Sequence, residues 1–188
     1  MKVAVYCSSR ADIDRTWIEA ADILGKWIGA GGDTLVYGGV ASGLMEVVSA
    51  AARSEGGRTV GVVPAKRTSV ENQHNTLNIR VGSLSNRKET MMQLADVFVA
   101  LPGGYGTLDE IVTTLTSIIF NHDSRRLIVL NADNVFEPLR LQYYAMIEHG
   151  LLEPALLKSV QFVKTIDEVI ALLEQERAAC KIATIEKE

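Results

Sequence analysis

Cysteine is scarce in this sequence of 188 residues, which contains only Cys7 and Cys180. Two cysteines so far apart form neither a disulfide framework nor a metal-binding pattern, and a reducing cytoplasm suits them best. Long apolar runs are also missing. None approaches the roughly 20 residues of a membrane span, and the N-terminal run "MKVAVYCSS" is shorter than the core of a signal peptide. We therefore expect a cytoplasmic protein without a membrane segment.

Clustered positive charge is absent as well. The chain has 19 basic and 23 acidic residues, a net charge of −4, and its lysines and arginines are dispersed. A groove that follows a nucleic-acid backbone needs a basic surface, so no nucleic-acid partner is expected. His74, His122 and His149 lack ligand spacing, so we expect no metal.

Short β-branched runs alternate with longer segments of helical periodicity, a pattern typical of parallel sheets covered on both faces. The sequence therefore predicts a doubly wound, Rossmann-like α/β fold with a mostly parallel sheet of about seven strands. Residues 1–178 should form one domain, and the tail 179–188 should fray. The predicted strands are 3–6, 34–37, 59–63, 77–81, 97–101, 127–130 and 161–163. The predicted helices span about 13–28, 43–55, 85–95, 107–120, 135–149 and 166–178.

Glycines follow two of these strands, where ligands bind in such folds. "VYGGVASGLM" contains Gly39 and Gly43, and "VALPGGYGTLDE" contains a second glycine run. Glycine lets a ligand approach the main chain, and the free amides of a following helix favour an anion such as phosphate. Either run taken alone is equally explained as a tight turn, but two of them in one small domain favour a binding site. Ser8 and Ser9 end the first strand at the same edge, where they or Asp12 could instead cap the first helix.

Two charged segments have both structural and functional interpretations. Thr107 and Glu110 have capping-box spacing, in which each side chain would satisfy the other residue's backbone amide. A carboxylate beside a phosphate-binding turn would also lie near a sugar ring. Arg87 and Lys88 fall in the predicted first turn of a helix, where the helix dipole disfavours cations and an anionic ligand would favour them. Alternatively, Arg87 pairs with Glu89 or another surface carboxylate.

Together, "PGGYGTLDE" and the upstream "RK" resemble the LONELY GUY family, cytokinin riboside 5′-monophosphate phosphoribohydrolases once labelled "possible lysine decarboxylase". The similarity extends from "VYCSS" through "RKETMMQLADVFVALPGGYGTLDEI" to "LLEPALLKSVQFVKTIDEVIALL". The resemblance implies a homodimeric hydrolase without metal or cofactor. It would cleave the bond between base and ribose in a nucleoside 5′-monophosphate.

The resemblance also assigns residues. Arg87 and Glu110 match the catalytic pair. The substrate-binding residues would come from the second glycine turn, from the neighbouring loops and from a glutamate that matches less well: Gly103, Gly104, Tyr105, Gly106, Thr107, Leu108, Asp109, Lys88, Ser8, Ser9, Gly39, Gly43 and Glu71.

The chain departs from the family pattern at Cys7, Val40, Glu46 and Leu84, and at Ser117 and Ile119 beyond the catalytic helix. These departures leave the preferred base open. They also leave an alternative of another class, a non-catalytic carrier or sensor of a nucleotide or molybdenum cofactor in which Glu110 merely caps its helix. A pyridoxal-phosphate decarboxylase would need a Schiff-base lysine, for which Lys88 is the nearest candidate, but nothing indicates a partner for the pyridine nitrogen, so this function is disfavoured.

Overall fold

A computed structural model describes residues 1–185, and these form seven strands and six α-helices in alternation. The strands are β1 (Lys2–Tyr6), β2 (Thr34–Tyr37), β3 (Arg58–Pro64), β4 (Leu77–Val81), β5 (Val97–Ala100), β6 (Leu127–Leu130) and β7 (Val160–Val163). The helices are α1 (Arg15–Ala30), α2 (Gly43–Ser54), α3 (Leu84–Leu94), α4 (Tyr105–Phe120), α5 (Glu137–Glu148) and α6 (Ile166–Ile185).

The strands form a single parallel sheet in the order β4-β3-β2-β1-β5-β6-β7. The chain builds outward from β1 to β4 and then returns to place β5 on the other side of β1. This reversal opens a crevice beyond the carboxyl ends of β1 and β5, the usual ligand position in such sheets.

Alternate residues of each strand enter opposite cores because successive side chains point to opposite faces. One core joins the sheet to α1, α2 and α6, and the other joins it to α3 and α4, with α5 residues at its edge. Val3 and Val5 lie in the first core, whereas Ala4 and Tyr6 lie in the second. The doubly wound fold with helices on both faces is thus confirmed.

Several helix boundaries differ from the predictions, and the differences at α1, α4 and α6 have a consequence for the site or for the tail. The first helix begins at Arg15 because Asp14 caps it, accepting a hydrogen bond from the Thr16 amide at 2.8 Å. The expected caps Ser8, Ser9 and Asp12 lie outside it. Helix α4 begins at Tyr105, two residues before the predicted start. Helix α6 continues to Ile185, through much of the tail expected to fray, and residues 186–188 lie outside the described part of the chain. No helix within residues 1–185 is long and apolar enough to cross a membrane.

Candidate active site

A cleft of about 320 Å³ lies where β1 and β5 end. Its walls come from the loop after β1, the starts of α2 and α3, and the first turns of α4. The lining residues are Cys7, Ser8, Ser9, Arg10, Val40, Met45, Leu84, Arg87, Gly104, Gly106, Thr107 and Glu110. The cleft therefore unites both glycine loops and the two charged segments singled out in the sequence.

Arg87 and Glu110 form an ion pair inside this cleft. The Arg87 Nη1 atom donates to Glu110 Oε1 at 2.7 Å, and the two side chains are 12% and 4% exposed. The Arg87 Nε atom donates to the carbonyl of Val62 at 3.0 Å, which fixes the guanidinium against β3. Arg87 therefore pairs with a buried carboxylate of another helix, while Glu89 contacts Gln93.

The environment of Glu110 acts on its acidity in two directions. Burial raises the pKa of Glu110 above its ordinary value, because a charged carboxylate loses its hydration, and the adjacent Arg87 lowers it. Beneath Glu110, Thr114 one turn along α4 shares a 2.8 Å hydrogen bond with the buried Tyr6 hydroxyl. This contact fixes α4 to the end of β1.

Glu110 does not cap its helix. Gly104 is the residue that precedes α4, so Thr107 and Glu110 both lie within the helix. The capping-box explanation is therefore wrong for this pair. The same spacing does form a capping box at α6, where Glu168 accepts from the Thr165 amide at 2.9 Å and Thr165 accepts from the Glu168 amide at 3.3 Å.

The first turn of α4 presents open main chain to the cleft. The Leu108 amide makes the first intrahelical bond, to Gly104, at 3.0 Å, and no side chain caps the helix. A Cβ atom at Gly104 or Gly106 would meet nothing within 4 Å. The amides of Tyr105, Gly106 and Thr107 are therefore the free donors of a helix N-terminus, which is a favourable site for an anion.

The loop after β1 is held in place by α2. Gly43 has a φ of 59°, and a Cβ atom there would lie 2.7 Å from the Ser9 carbonyl carbon, so only glycine allows this approach. Within the loop, Ser8 Oγ accepts from the Arg10 amide at 3.1 Å. Gly43 thus supports the cleft wall rather than lining it.

The first glycine run supports Arg87. A Cβ atom on Gly38 would lie only 3.0 Å from Arg87 Cζ and 2.9 Å from Met45 Cε, so the guanidinium rests on bare backbone. Gly39, with a φ of 71°, packs against Val63 and Gly61 behind the cleft.

Several predicted site residues lie outside the cleft wall. Lys88 donates hydrogen bonds to Asp109 and Thr113 beside the cleft. Tyr105, 92% exposed, and Leu108 face a neighbouring groove that Gly103 also borders. Glu71 is buried behind Val40 and accepts from Arg80 Nε at 3.1 Å.

The sequence did not single out some residues that line the cleft or support Arg87 within it. Arg10 lines both this cleft and an adjoining one of about 390 Å³. Gly38 could have been found from the sequence because it belongs to the glycine run "VYGGVASGLM". The Val62 carbonyl could not, because every residue has a backbone carbonyl. Among the family departures, Cys7, Val40 and Leu84 line the cleft. The Glu46 side chain instead binds Asn72 and Arg53 nearby. Within residues 1–185, no cluster of His, Cys, Asp and Glu side chains is arranged to hold a metal ion.

Comparison with known proteins shows which family the chain is similar to. The sequence model described as "Possible lysine decarboxylase" matches residues 45–173. A protein of Oryza sativa subsp. japonica, named probable cytokinin riboside 5′-monophosphate phosphoribohydrolase, is 36% identical over 156 residues, covering 82% of this chain and 69% of its own. A Mycobacterium marinum protein, named cytokinin riboside 5′-monophosphate phosphoribohydrolase, is 32% identical over 171 residues, covering 89% of this chain and 90% of its own.

Solved structures show the same architecture. The molybdenum cofactor carrier protein from Chlamydomonas reinhardtii superposes with a TM-score of 0.71 at 25% identity, covering 94% of this chain and 98% of the carrier. On the sequence matches, the chain belongs to the LONELY GUY family, whose sequence model carries the older description "possible lysine decarboxylase".

Proposed function

We propose that this protein hydrolyses the N-glycosidic bond of a purine nucleoside 5′-monophosphate, releasing free base and ribose 5-phosphate. The observation that carries the proposal is the Arg87–Glu110 pair, 2.7 Å apart and almost buried, beside an uncapped helix N-terminus. The names of the relatives supply the reaction class, and the cleft supplies groups suited to it.

The phosphate and ribose have natural positions in the cleft. The 5′-phosphate would accept hydrogen bonds from the first-turn amides of α4, whose dipole favours an anion. Glu110 lies one turn further along the same helix, so the sugar would extend from the bound phosphate towards its carboxylate. Binding energy from the phosphate would thereby orient the bond that breaks.

The base would lie against the opposite wall. Val40, Met45 and Leu84 line that part of the cleft and offer an apolar surface to a flat ring. The base is the most weakly specified part of the substrate, so AMP and its N6-substituted analogues are the candidates to compare.

In the proposed reaction, a water oxygen bonds to C1′ while the C1′–N9 bond breaks and its electron pair leaves with the base. One proton of the water ends on the departing base and the hydroxyl remains on C1′, so no further reactant is needed. Positive charge develops on the ribose ring in the transition state, and the Glu110 carboxylate stabilises it more than the neutral ground state. Arg87 holds Glu110 in place and is positioned to orient the phosphorylated sugar.

The carrier alternative retains less support. It required Glu110 to act as a helix cap, and Glu110 instead contacts Arg87 inside the cleft. The carrier from Chlamydomonas shares the fold at 25% identity, whereas the relatives named as hydrolases reach 36%.

Base release distinguishes the two functions. Purified protein is incubated with AMP, N6-isopentenyl-AMP and the pyrimidine monophosphates UMP and CMP, and free base and ribose 5-phosphate are quantified by chromatography. We expect release from the purine substrates, and a loss of about 10² or more in kcat for Glu110→Gln.

The matched control is Glu168→Gln, the same substitution in the capping box of α6. It should leave kcat unchanged, because that carboxylate lies on the opposite side of the sheet from α4. Tight binding of AMP without base release by the wild-type protein would overturn the proposal in favour of a carrier.

The proposal includes a cytoplasmic homodimer. Val112 lines an apolar groove of about 220 Å³ between α4 and α5, and the exposed Phe120 and Leu151 are next in the chain to its lining residues Ile119 and Leu152. A second copy covering this surface would remove it from water. Cell fractionation and sedimentation measurements test the location and the assembly.

A further inference from the structure

A second ion pair runs beside the catalytic one. Lys88 Nζ lies 2.7 Å and 2.8 Å from the two carboxylate oxygens of Asp109, and 2.9 Å from Thr113 Oγ1. Lys88 follows Arg87 in α3, and Asp109 precedes Glu110 in α4. Consecutive residues of one helix therefore bind consecutive residues of the other.

These contacts hold the Lys88 ammonium group outside the cleft proposed to bind the substrate. Its side chain is 17% exposed and its ammonium group has three oxygen atoms within hydrogen-bond distance, whereas neither Lys88 nor Asp109 lines the cleft. A role in binding the nucleotide would require Lys88 to give up all three contacts.

Resting on the hydrolase function proposed above, we propose that Lys88 and Asp109 are positioning residues. Their ion pair joins α3 to the second turn of α4 in the one register that brings Arg87 to Glu110, and it neutralises the charge of Asp109 next to the catalytic carboxylate. Thr113, one turn after Asp109, extends the same attachment along α4.

The charges around Glu110 make this role measurable. The groups that face it are Arg87 and Lys88 from α3, Asp109 from its own helix, and Tyr6 and Cys7 at the end of β1. Burial raises the pKa of both Tyr6 and Cys7, so these two remain neutral. Asp109 raises the pKa of Glu110 and Lys88 lowers it.

Removing Lys88 and removing Asp109 should therefore shift the pKa of Glu110 in opposite directions. In Lys88→Met the unneutralised Asp109 raises the pKa of Glu110, so the acid limb of kcat moves to higher pH. In Asp109→Asn the unpaired Lys88 lowers that pKa, so the limb moves to lower pH. A purely structural contact would move both limbs alike or neither.

The test combines three variants with steady-state kinetics over a pH range. At pH 7 we expect Lys88→Met and Asp109→Asn each to lower kcat about three- to tenfold, with KM for AMP changed less than about twofold. The exchanged double variant Lys88→Asp/Asp109→Lys restores the attraction and should recover most of the lost kcat. Lys26→Met, which removes an exposed ion pair with Asp22 on α1, is the matched control and should leave kcat unchanged.

A rise in KM with unchanged kcat would identify Lys88 as a substrate ligand and overturn the proposal, as would a double variant no better than the single ones. If the wild-type protein releases no base, the function fails but the positioning role is still measured. Carboxyl ¹³C NMR, with Glu110 assigned from Glu110→Gln, should then show its titration midpoint rising in Lys88→Met and falling in Asp109→Asn. Equal midpoints would refute the role.

Discussion

In the proposed reaction, the protonation state of Glu110 controls whether the site can stabilise the transition state. Burial is the larger influence and raises its pKa above the ordinary 4.5, against the opposing effect of Arg87. Under the proposed mechanism, only the ionised form attracts the positive charge that develops on the ribose. As pH falls through this raised pKa, Glu110 gains a proton and the proposed reaction should slow.

We therefore predict an acid limb in kcat with its midpoint above pH 4.5. The measurement is kcat between about pH 4 and 9, and not kcat/KM, since the free substrate's phosphate itself titrates at about pH 6. In Glu110→Gln the residual rate should lose this limb. A limb that persists in Glu110→Gln would assign the titration to another group.

Gly38 controls Arg87 through the absence of a side chain. A Cβ atom there would overlap the guanidinium, although the backbone conformation itself would accept alanine, because Gly38 is not among the glycines of positive φ. Gly38→Ala should therefore displace Arg87 and lower kcat by about tenfold or more, by analogy with small displacements in other active sites.

Gly32→Ala and Gly56→Ala are unsuitable controls because both positions have positive φ. Gly104→Ala would add a methyl group that meets no neighbouring atom, so it would separate the effect of the methyl group from that of the clash. Gly104 lies in the cleft, however, so this variant is not a neutral control. The direct readout is therefore the crystal structure of Gly38→Ala. An unmoved Arg87 with full activity would contradict the prediction.

At the scale of single helices, α4 and α6 solve the same problem differently. Each begins with backbone amides that lack partners within the helix. At the start of α6, the side chains of Thr165 and Glu168 each accept a hydrogen bond from the other residue's amide. At the start of α4, no side chain caps the amides, and they face the cleft. A helix start without a cap is less stable but is available to a ligand.

Thr165→Ala should therefore affect stability and not catalysis. Loss of a hydroxyl cap from a chain of this size is expected to lower Tm by about 2–4 °C. Differential scanning calorimetry and base release at 25 °C measure the two quantities. A fall in kcat with unchanged Tm would contradict the structural role.

At the scale of the whole molecule, two of the most exposed apolar side chains lie next in the chain to residues that line an apolar groove. Phe120 at the end of α4 is 79% exposed and Leu151 after α5 is 78% exposed, beside the groove that Val112 and Met146 line. A monomer would leave this surface in water, which monomeric proteins generally avoid for large apolar patches.

Phe120→Glu should consequently weaken the proposed dimer by placing a charge in an apolar interface. Sedimentation velocity at micromolar concentration should show a dimer for the wild-type chain and a monomer-containing mixture for the variant. Ile182→Glu is the matched control, since Ile182 is 59% exposed on α6, on the other face of the sheet. A wild-type monomer, or a dimer unaffected by Phe120→Glu, would rule out this surface.

The sequence by itself determined the alternation of strands and helices, because burial on both faces of a parallel sheet requires strands that are apolar at nearly every position. It also indicated the two glycine loops and the pair Arg87 and Glu110. The motif that contains Glu110 is long, so it aligns with the family pattern in only one way and assigns each residue one counterpart. The local pattern failed where the same Thr–Glu spacing occurs in two different structural settings. Thr107–Glu110 and Thr165–Glu168 have the same spacing, and only the second is a capping box.

Tertiary structure alone decided which partner each charged side chain took. Arg87 and Glu110 are 23 residues apart in sequence, and they meet only because α3 and α4 pack on the same face of the sheet beside the reversal at β1 and β5. The same packing turned Lys88 towards Asp109 and away from the cleft. Contacts over such separations depend on how whole elements are arranged, which periodicity and local propensity do not encode.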